Sequence, residues 1–130
     1  MRLVLDASVL IAWLDPEDAH HEQVLHALNG AAREEWAISS LTLAEVMTRA
    51  AADEERFAAL GEAIADLELV VLPVDDGDAE SLARLRSVSG LRMPDCCVLL
   101  TASAHGGRIL STDAQLVRRA GDLGLDARLP

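Results

Sequence analysis

Four short, apolar runs constrain this chain more than any other feature: RLVL (2–5), WAIS (36–39), ELVVLPV (68–74) and RILS (108–111). None shows the strict in–out alternation of a strand with one wet face. Each reads as a strand buried on both sides, and DARL (126–129) reads as a final edge strand. Between them lie stretches of helical period. SVLIAWL (8–14) is a short apolar helix closed by Asp15-Pro16, and 18–30 is an amphipathic one ended by Asn29-Gly30. Further helices are expected over 41–51, 54–67, 78–90, 95–105 and 114–124. Strands alternating with helices require crossover connections, hence a mostly parallel sheet of about five strands covered on both faces. The expected fold is therefore a three-layer α/β/α arrangement of Rossmann-like character, with residues 1–130 forming a single domain.

Composition fits that architecture. Apolar residues make up 51% of the chain, yet only Trp13, Trp36 and Phe57 are aromatic, so Ala, Leu and Val must build the interior. There is no lysine, which removes Schiff-base and P-loop chemistry. The formal net charge of −11 argues against simple electrostatic binding of nucleic acid, unless a bound divalent cation reverses the local field. Cys96 and Cys97 are neighbours, unsuited to a loop-closing disulfide, and read as buried free thiols of a reducing cytoplasm. Asp6 interrupts the first apolar stretch, no signal-peptide cleavage pattern follows, and no run is long enough to span a bilayer.

Ligands of a parallel sheet gather beyond the carboxyl ends of its strands, and that rule tests each acid. Asp6 follows the first strand, Glu45 lies early in the helix after the second, and Asp113 follows the fourth. Asp95, preceded by Pro94, starts the helix that feeds the fourth strand. Singly, each has a local explanation. Asp6, Asp95 and Asp113 suit helix caps, and Thr42–Glu45 (TLAE) matches a capping box. Together, four carboxylates at one edge would repel one another unless a cation lay among them. All-oxygen ligands suit Mg²⁺, with Mn²⁺ as a substitute, and such an ion activates water for hydrolysis of a phosphate ester. Ser8 and Thr112 flank the acids and are candidates to orient water or a phosphate oxygen.

LVLDASVLIAWL, SSLTLAEV, LRMPDCCVLLTASAHGG and RILSTDAQL, in this order, resemble the PIN domain, in particular VapC-type toxins of bacterial toxin–antitoxin pairs. The resemblance spans residues 1 to about 120. It implies a Mg²⁺-dependent endoribonuclease acting on RNA, a homodimer within a larger toxin–antitoxin complex, and neutralisation by a cognate VapB-like antitoxin. The family's catalytic acids fall on Asp6, Glu45, Asp95 and Asp113. Asp6 and Asp95 would be the principal metal ligands, Asp113 and Glu45 would complete the pocket directly or through water, and Thr112 matches the family's hydroxyl before its last acid. DCCVLL replaces the more usual DALIAA after the third acid, keeping small or apolar residues at the packed positions.

Arg84, Arg86, Arg92, Arg118 and Arg119 are expected as modest substrate contacts or solvated helix faces. The acidic remainder of the surface suits a basic antitoxin tail placing an arginine in the carboxylate pocket. His20, His21 and His26 read as a surface cluster. Two rival readings remain: a non-catalytic PIN-like protein that only binds a partner, and a receiver-like phosphoryl-accepting domain. The second is weakened by the missing lysine.

Overall fold

The structure, a computed structural model, describes residues 1–130. Its elements follow in the order β1 (Arg2–Leu5), α1 (Ala7–Leu14), α2 (His21–Gly30), β2 (Glu35–Ser39), α3 (Ser40–Thr48), α4 (Glu54–Ala65), β3 (Val70–Leu72), α5 (Ala79–Ser89), α6 (Met93–His105), β4 (Arg108–Leu110), α7 (Ala114–Asp122) and β5 (Ala127–Arg128). A 3₁₀ turn over Asp76–Asp78 leads into α5. The five strands form one all-parallel sheet in the order β3-β2-β1-β4-β5.

The pleat of β1 divides the core. Leu3 and Leu5 face one layer with Leu10, Val24, Leu28, Val46 and Ile64, supplied by α1 to α4. Val4 faces the other layer with Leu82, Val98, Leu99, Ile109 and Leu116, supplied by β4 and α5 to α7. A strand buried on both faces has no polar position to offer, which is why RLVL is continuously apolar after its first residue. The expected three-layer parallel architecture is the observed one. No helix is long and apolar enough to cross a membrane.

Local chemistry explains the element boundaries. α2 starts at His21, three residues later than its pattern suggests. Asp15 accepts the Glu17 N–H and Asp18 the His20 N–H, and such turns draw backbone donors away from a helix. α6 begins at Met93, two residues earlier than expected, because Pro94 sits in the first turn, where its missing N–H leaves no helix bond unmade. Between α6 and β4 the chain turns at Gly106-Gly107. Gly107 has a φ of +123°, and a Cβ there would lie 2.7 Å from the Arg2 carbonyl oxygen.

Two glycine substitutions should therefore move stability in opposite directions. Gly107→Ala combines a disallowed φ with a backbone clash, a penalty on the order of 1–3 kcal/mol, and should lower the melting temperature. Gly61→Ala, inside α4 with open space around it, should raise it through about 0.5–1 kcal/mol of helix preference. Calorimetry decides. An unchanged Gly107→Ala would mean the β1–β4 approach is looser than it looks.

Candidate active site

β1 and β4 are neighbours in the sheet although about a hundred residues of chain separate them. The connections from β1 lead to β2 on one side, and the chain later returns to place β4 on the other. The carboxyl ends of β1 and β4 thus form the point where strand order reverses, the usual ligand position in such sheets. Asp6 emerges there, its N–H bonded to the Leu110 carbonyl at 3.1 Å.

Asp6 is 8% exposed and its side chain is fully oriented. Its Oδ1 accepts the Ala7 N–H at 2.9 Å, and its Oδ2 accepts the hydroxyls of Ser8 and Ser111, both at 2.7 Å. Each hydroxyl in turn accepts a backbone N–H: Ser8 from Thr112 at 3.1 Å, Ser111 from Asp113 at 3.0 Å. Both hydroxyl protons are spent on Asp6, so the 3.4 Å approach between the two serine oxygens is a contact rather than a further donation. This network ties β1, α1 and the start of α7 together around one carboxylate.

Asp113 caps α7, its Oδ1 accepting the N–H groups of Gln115 and Leu116, which leaves Oδ2 without a partner. Asp95 behaves differently from the cap its position suggests. The residue preceding α6 is Arg92, Asp95 lies within the first turn, and its half-buried carboxylate accepts no hydrogen bond. Glu45 likewise escapes the capping box. Ser39 caps α3 by accepting the Leu41 N–H, so Thr42 is already inside the helix and Glu45 stands exposed and unpaired. The Thr42 hydroxyl is buried without a partner.

Burial and the charge of Asp6 push the Asp95 carboxyl above its ordinary range. Arg92 opposes the shift, and Asp113 and Glu45 add to it. Three acids from three other segments therefore act on Asp95. No three acidic, histidine or cysteine side chains are gathered closely enough to hold a metal ion between them. The donors nonetheless suit a hard cation. Asp95 and Glu45 have no internal partner, Asp113 keeps one oxygen free, and Mg²⁺ commonly takes one or two carboxylates and keeps its remaining positions for water and phosphate. Burial pushes the Cys96 and Cys97 thiols up as well, which makes them poor nucleophiles.

Two cavities lie elsewhere. One of about 600 Å³ is at the opposite sheet edge beside Arg2, His105 and Arg108, and one of about 500 Å³ lies between α1, α3 and α4.

Sequence reasoning missed Ser111. It singled out Thr112, whose hydroxyl makes no hydrogen bond and whose backbone N–H instead holds Ser8. The signal was present in RILSTD, where the first polar residue after a buried strand occupies the position beside Asp6.

Residues 3–122 match the PIN domain model, and the chain belongs to the PIN-domain family. No curated protein matches it by sequence. Among solved structures it resembles VapBC2 from Rickettsia felis bound to a DNA fragment from their promoter, with a TM-score of 0.76 at 15% identity, covering 100% of this chain and 99% of that one. FitAcB from Neisseria gonorrhoeae aligns with a TM-score of 0.75 at 22% identity over 96% and 95% of the two chains. A toxin–antitoxin complex from Klebsiella pneumoniae aligns with a TM-score of 0.67 at 23% identity over 88% and 89%. At these identities the likeness establishes a shared fold.

Two substitutions in this cluster should have opposite effects on the metal-free protein. A carboxyl raised in the folded state contributes stability only at low pH, and that contribution is lost as pH rises through its folded value. Asp95→Asn should thus melt at or above the wild-type temperature at pH 7, the difference vanishing toward about pH 4. Ser111→Ala strands the Asp113 N–H and should cost about 1–3 kcal/mol. A large loss of stability in Asp95→Asn at pH 7 would mean Asp95 serves the helix after all.

Proposed function

We propose that this protein is a divalent-metal-dependent endoribonuclease of VapC type, a cytoplasmic toxin held inactive by a VapB-like antitoxin. What supports the reading is that Asp6 follows β1, Asp113 follows β4 and Glu45 lies in the helix after β2, so the parallel sheet delivers all three toward its carboxyl edge, where their charges raise the unpaired, half-buried Asp95 carboxyl. Left to itself, the unpaired and half-buried Asp95 beside other acids costs stability, and a cation gives that arrangement a use.

Asp6 and Asp95 would hold the metal, with Asp113 through its free oxygen and Glu45 completing the pocket directly or through water. Bound there, Mg²⁺ or Mn²⁺ supplies charge neutralisation for phosphate and a lowered pKa for water. The chain's own residues do the positioning. Ser8 and Ser111 fix the plane of the Asp6 carboxylate, and their backbone donors fix the serines, the outer support that keeps a ligand aimed. Glu45 is exposed and unpaired, so its carboxylate is free to accept a proton from an attacking water. Thr112 lies beside the cluster with its hydroxyl unengaged, available to a phosphate oxygen.

The partner reading is supported by what the similar structures contain. The Klebsiella structure is a toxin–antitoxin complex, and the Rickettsia VapBC2 structure holds promoter DNA. We extend the first association to this chain as a homodimer carrying antitoxin. The net charge of −11 favours a basic antitoxin segment that places an arginine among the carboxylates and so competes with both metal and RNA. A PIN-like protein that only binds a partner is the competing reading, favoured by the openness of the acid cluster.

The purified protein should cleave RNA in Mg²⁺ or Mn²⁺ and lose that activity in EDTA. Asp6→Asn and Asp95→Asn should each reduce the rate at least about a hundredfold. Mg²⁺ should raise the wild-type melting temperature by mass action and leave that of Asp95→Asn nearly unmoved. Cleavage surviving both substitutions, or a wild type that neither cleaves RNA nor responds to Mg²⁺, would overturn the assignment.

A further inference from the structure

All eleven basic side chains are arginine, and most are consumed inside the fold. Arg2 is bound by Glu35, Arg84 by Glu80, Arg86 by the Leu91 carbonyl, Arg108 by Glu34, Arg119 by Asp122 and Arg128 by Asp126. Arg92 is exposed and has neither hydrogen bond nor ion pair. Among the arginines it is the one whose charge acts most on Asp95.

Its backbone, by contrast, is firmly held. Gly90 ends α5 with a φ of +68°, Leu91 is buried, the Leu91 N–H is taken by Ser89 Oγ at 3.1 Å, and the Leu91 carbonyl by Arg86. The Arg92 carbonyl then accepts the Cys96 N–H at 3.1 Å as α6 begins. A guanidinium with no internal partner, on a fixed backbone one helical turn from Asp95, can meet a ligand without breaking an existing contact, at the cost of its own rotamer freedom. Such a group cannot ligate a cation, and its charge opposes cation binding. Its complement is an anion. Four carboxylates around one divalent ion still carry net negative charge, so a phosphodiester approaching them needs a cation outside the metal's shell.

Building on the nuclease reading, we propose that Arg92 is a substrate-binding residue that grips a non-bridging phosphate oxygen of the RNA strand and seats it against the acid cluster. The guanidinium matches two phosphate oxygens in its plane and transfers no proton.

The proposal predicts opposite effects on substrate and metal, which a merely structural role would not produce. With a fluorescently labelled single-stranded RNA of mixed sequence in Mg²⁺, Arg92→Ala should raise KM about tenfold and change kcat much less. The dependence of log KM on log salt should flatten by about 0.7, the loss of one phosphate contact to a single strand. Mg²⁺ binding to the free protein, measured by calorimetry, should stay the same or tighten. Arg92→Lys should keep the wild-type salt dependence, since the charge remains, and recover KM only in part, since the two-oxygen match is lost. Arg33→Ala, removing an unpaired charge at the amino end of β2, should match wild type in every assay. An Arg92→Ala KM equal to that of Arg33→Ala overturns the proposal, as does Mg²⁺ binding that weakens together with RNA cleavage. A wild-type protein that neither binds Mg²⁺ nor cleaves RNA overturns the nuclease reading itself, and Arg92's role with it.

Discussion

The interaction on which the site depends is the grip of two serine hydroxyls on the Asp6 carboxylate across the β1–β4 junction. β1 is apolar on both faces and central in the sheet, so it is the strand least free to shift. Whatever follows it is delivered to a fixed place. Ser8 comes from α1 and Ser111 from the end of β4, and each is anchored by a backbone donor from the segment that leads to Asp113. Asp6 and Asp113 are thus placed relative to each other by hydrogen bonds, with no flexible side chain between them.

Capping and chemistry turn out to be compatible uses of one side chain. Asp113 spends a single oxygen on α7 and keeps the other. Asp6 satisfies the start of α1 through Oδ1 while Oδ2 is steered by hydroxyls. In Asp113 the cap sets the direction in which the free oxygen points, which is what a weak, water-rich cation site needs from a ligand. Asp95 and Glu45 are the reverse case, since both sit in sequence contexts that suit capping and neither caps anything.

That contrast defines what was legible in the sequence. The strands could be read because a doubly buried strand must be apolar without interruption, and RLVL and RILS have no other use. The expectation that Asp6, Glu45 and Asp113 share an edge rests on a parallel sheet sending every strand's carboxyl end the same way. The starts of α2 and α6 were misjudged by two or three residues because competing Asx turns and a tolerated proline decide them, and both are weak local effects. Ser111 was hidden for a different reason: its partner Asp6 lies 105 residues away, and no local pattern encodes that pairing. The capping box at Thr42–Glu45 misled because Ser39, three residues earlier, is the better-placed oxygen once β2 ends there.

The distribution of charge makes the strongest case that the cluster is retained for binding. At the amino edge of the sheet the protein neutralises its acids internally. Arg108 grips Glu34 with two donors and holds that carboxyl below the usual range, and Arg2 grips Glu35 next to it. The same solution was open at the carboxyl edge, where an arginine stands one turn from Asp95. Arg92 is not used that way: its guanidinium forms no ion pair with any of the four acids. A fold that pairs its acids where only stability is served, and leaves them unpaired where its strands deliver ligands, carries a standing electrostatic penalty at one end. Folding gains two helix caps from Asp6 and Asp113 but nothing from leaving Asp95 and Glu45 unpaired, and a bound ligand would give those two a use. A divalent cation together with the phosphate it carries matches both the excess of carboxylates and the free guanidinium beside them.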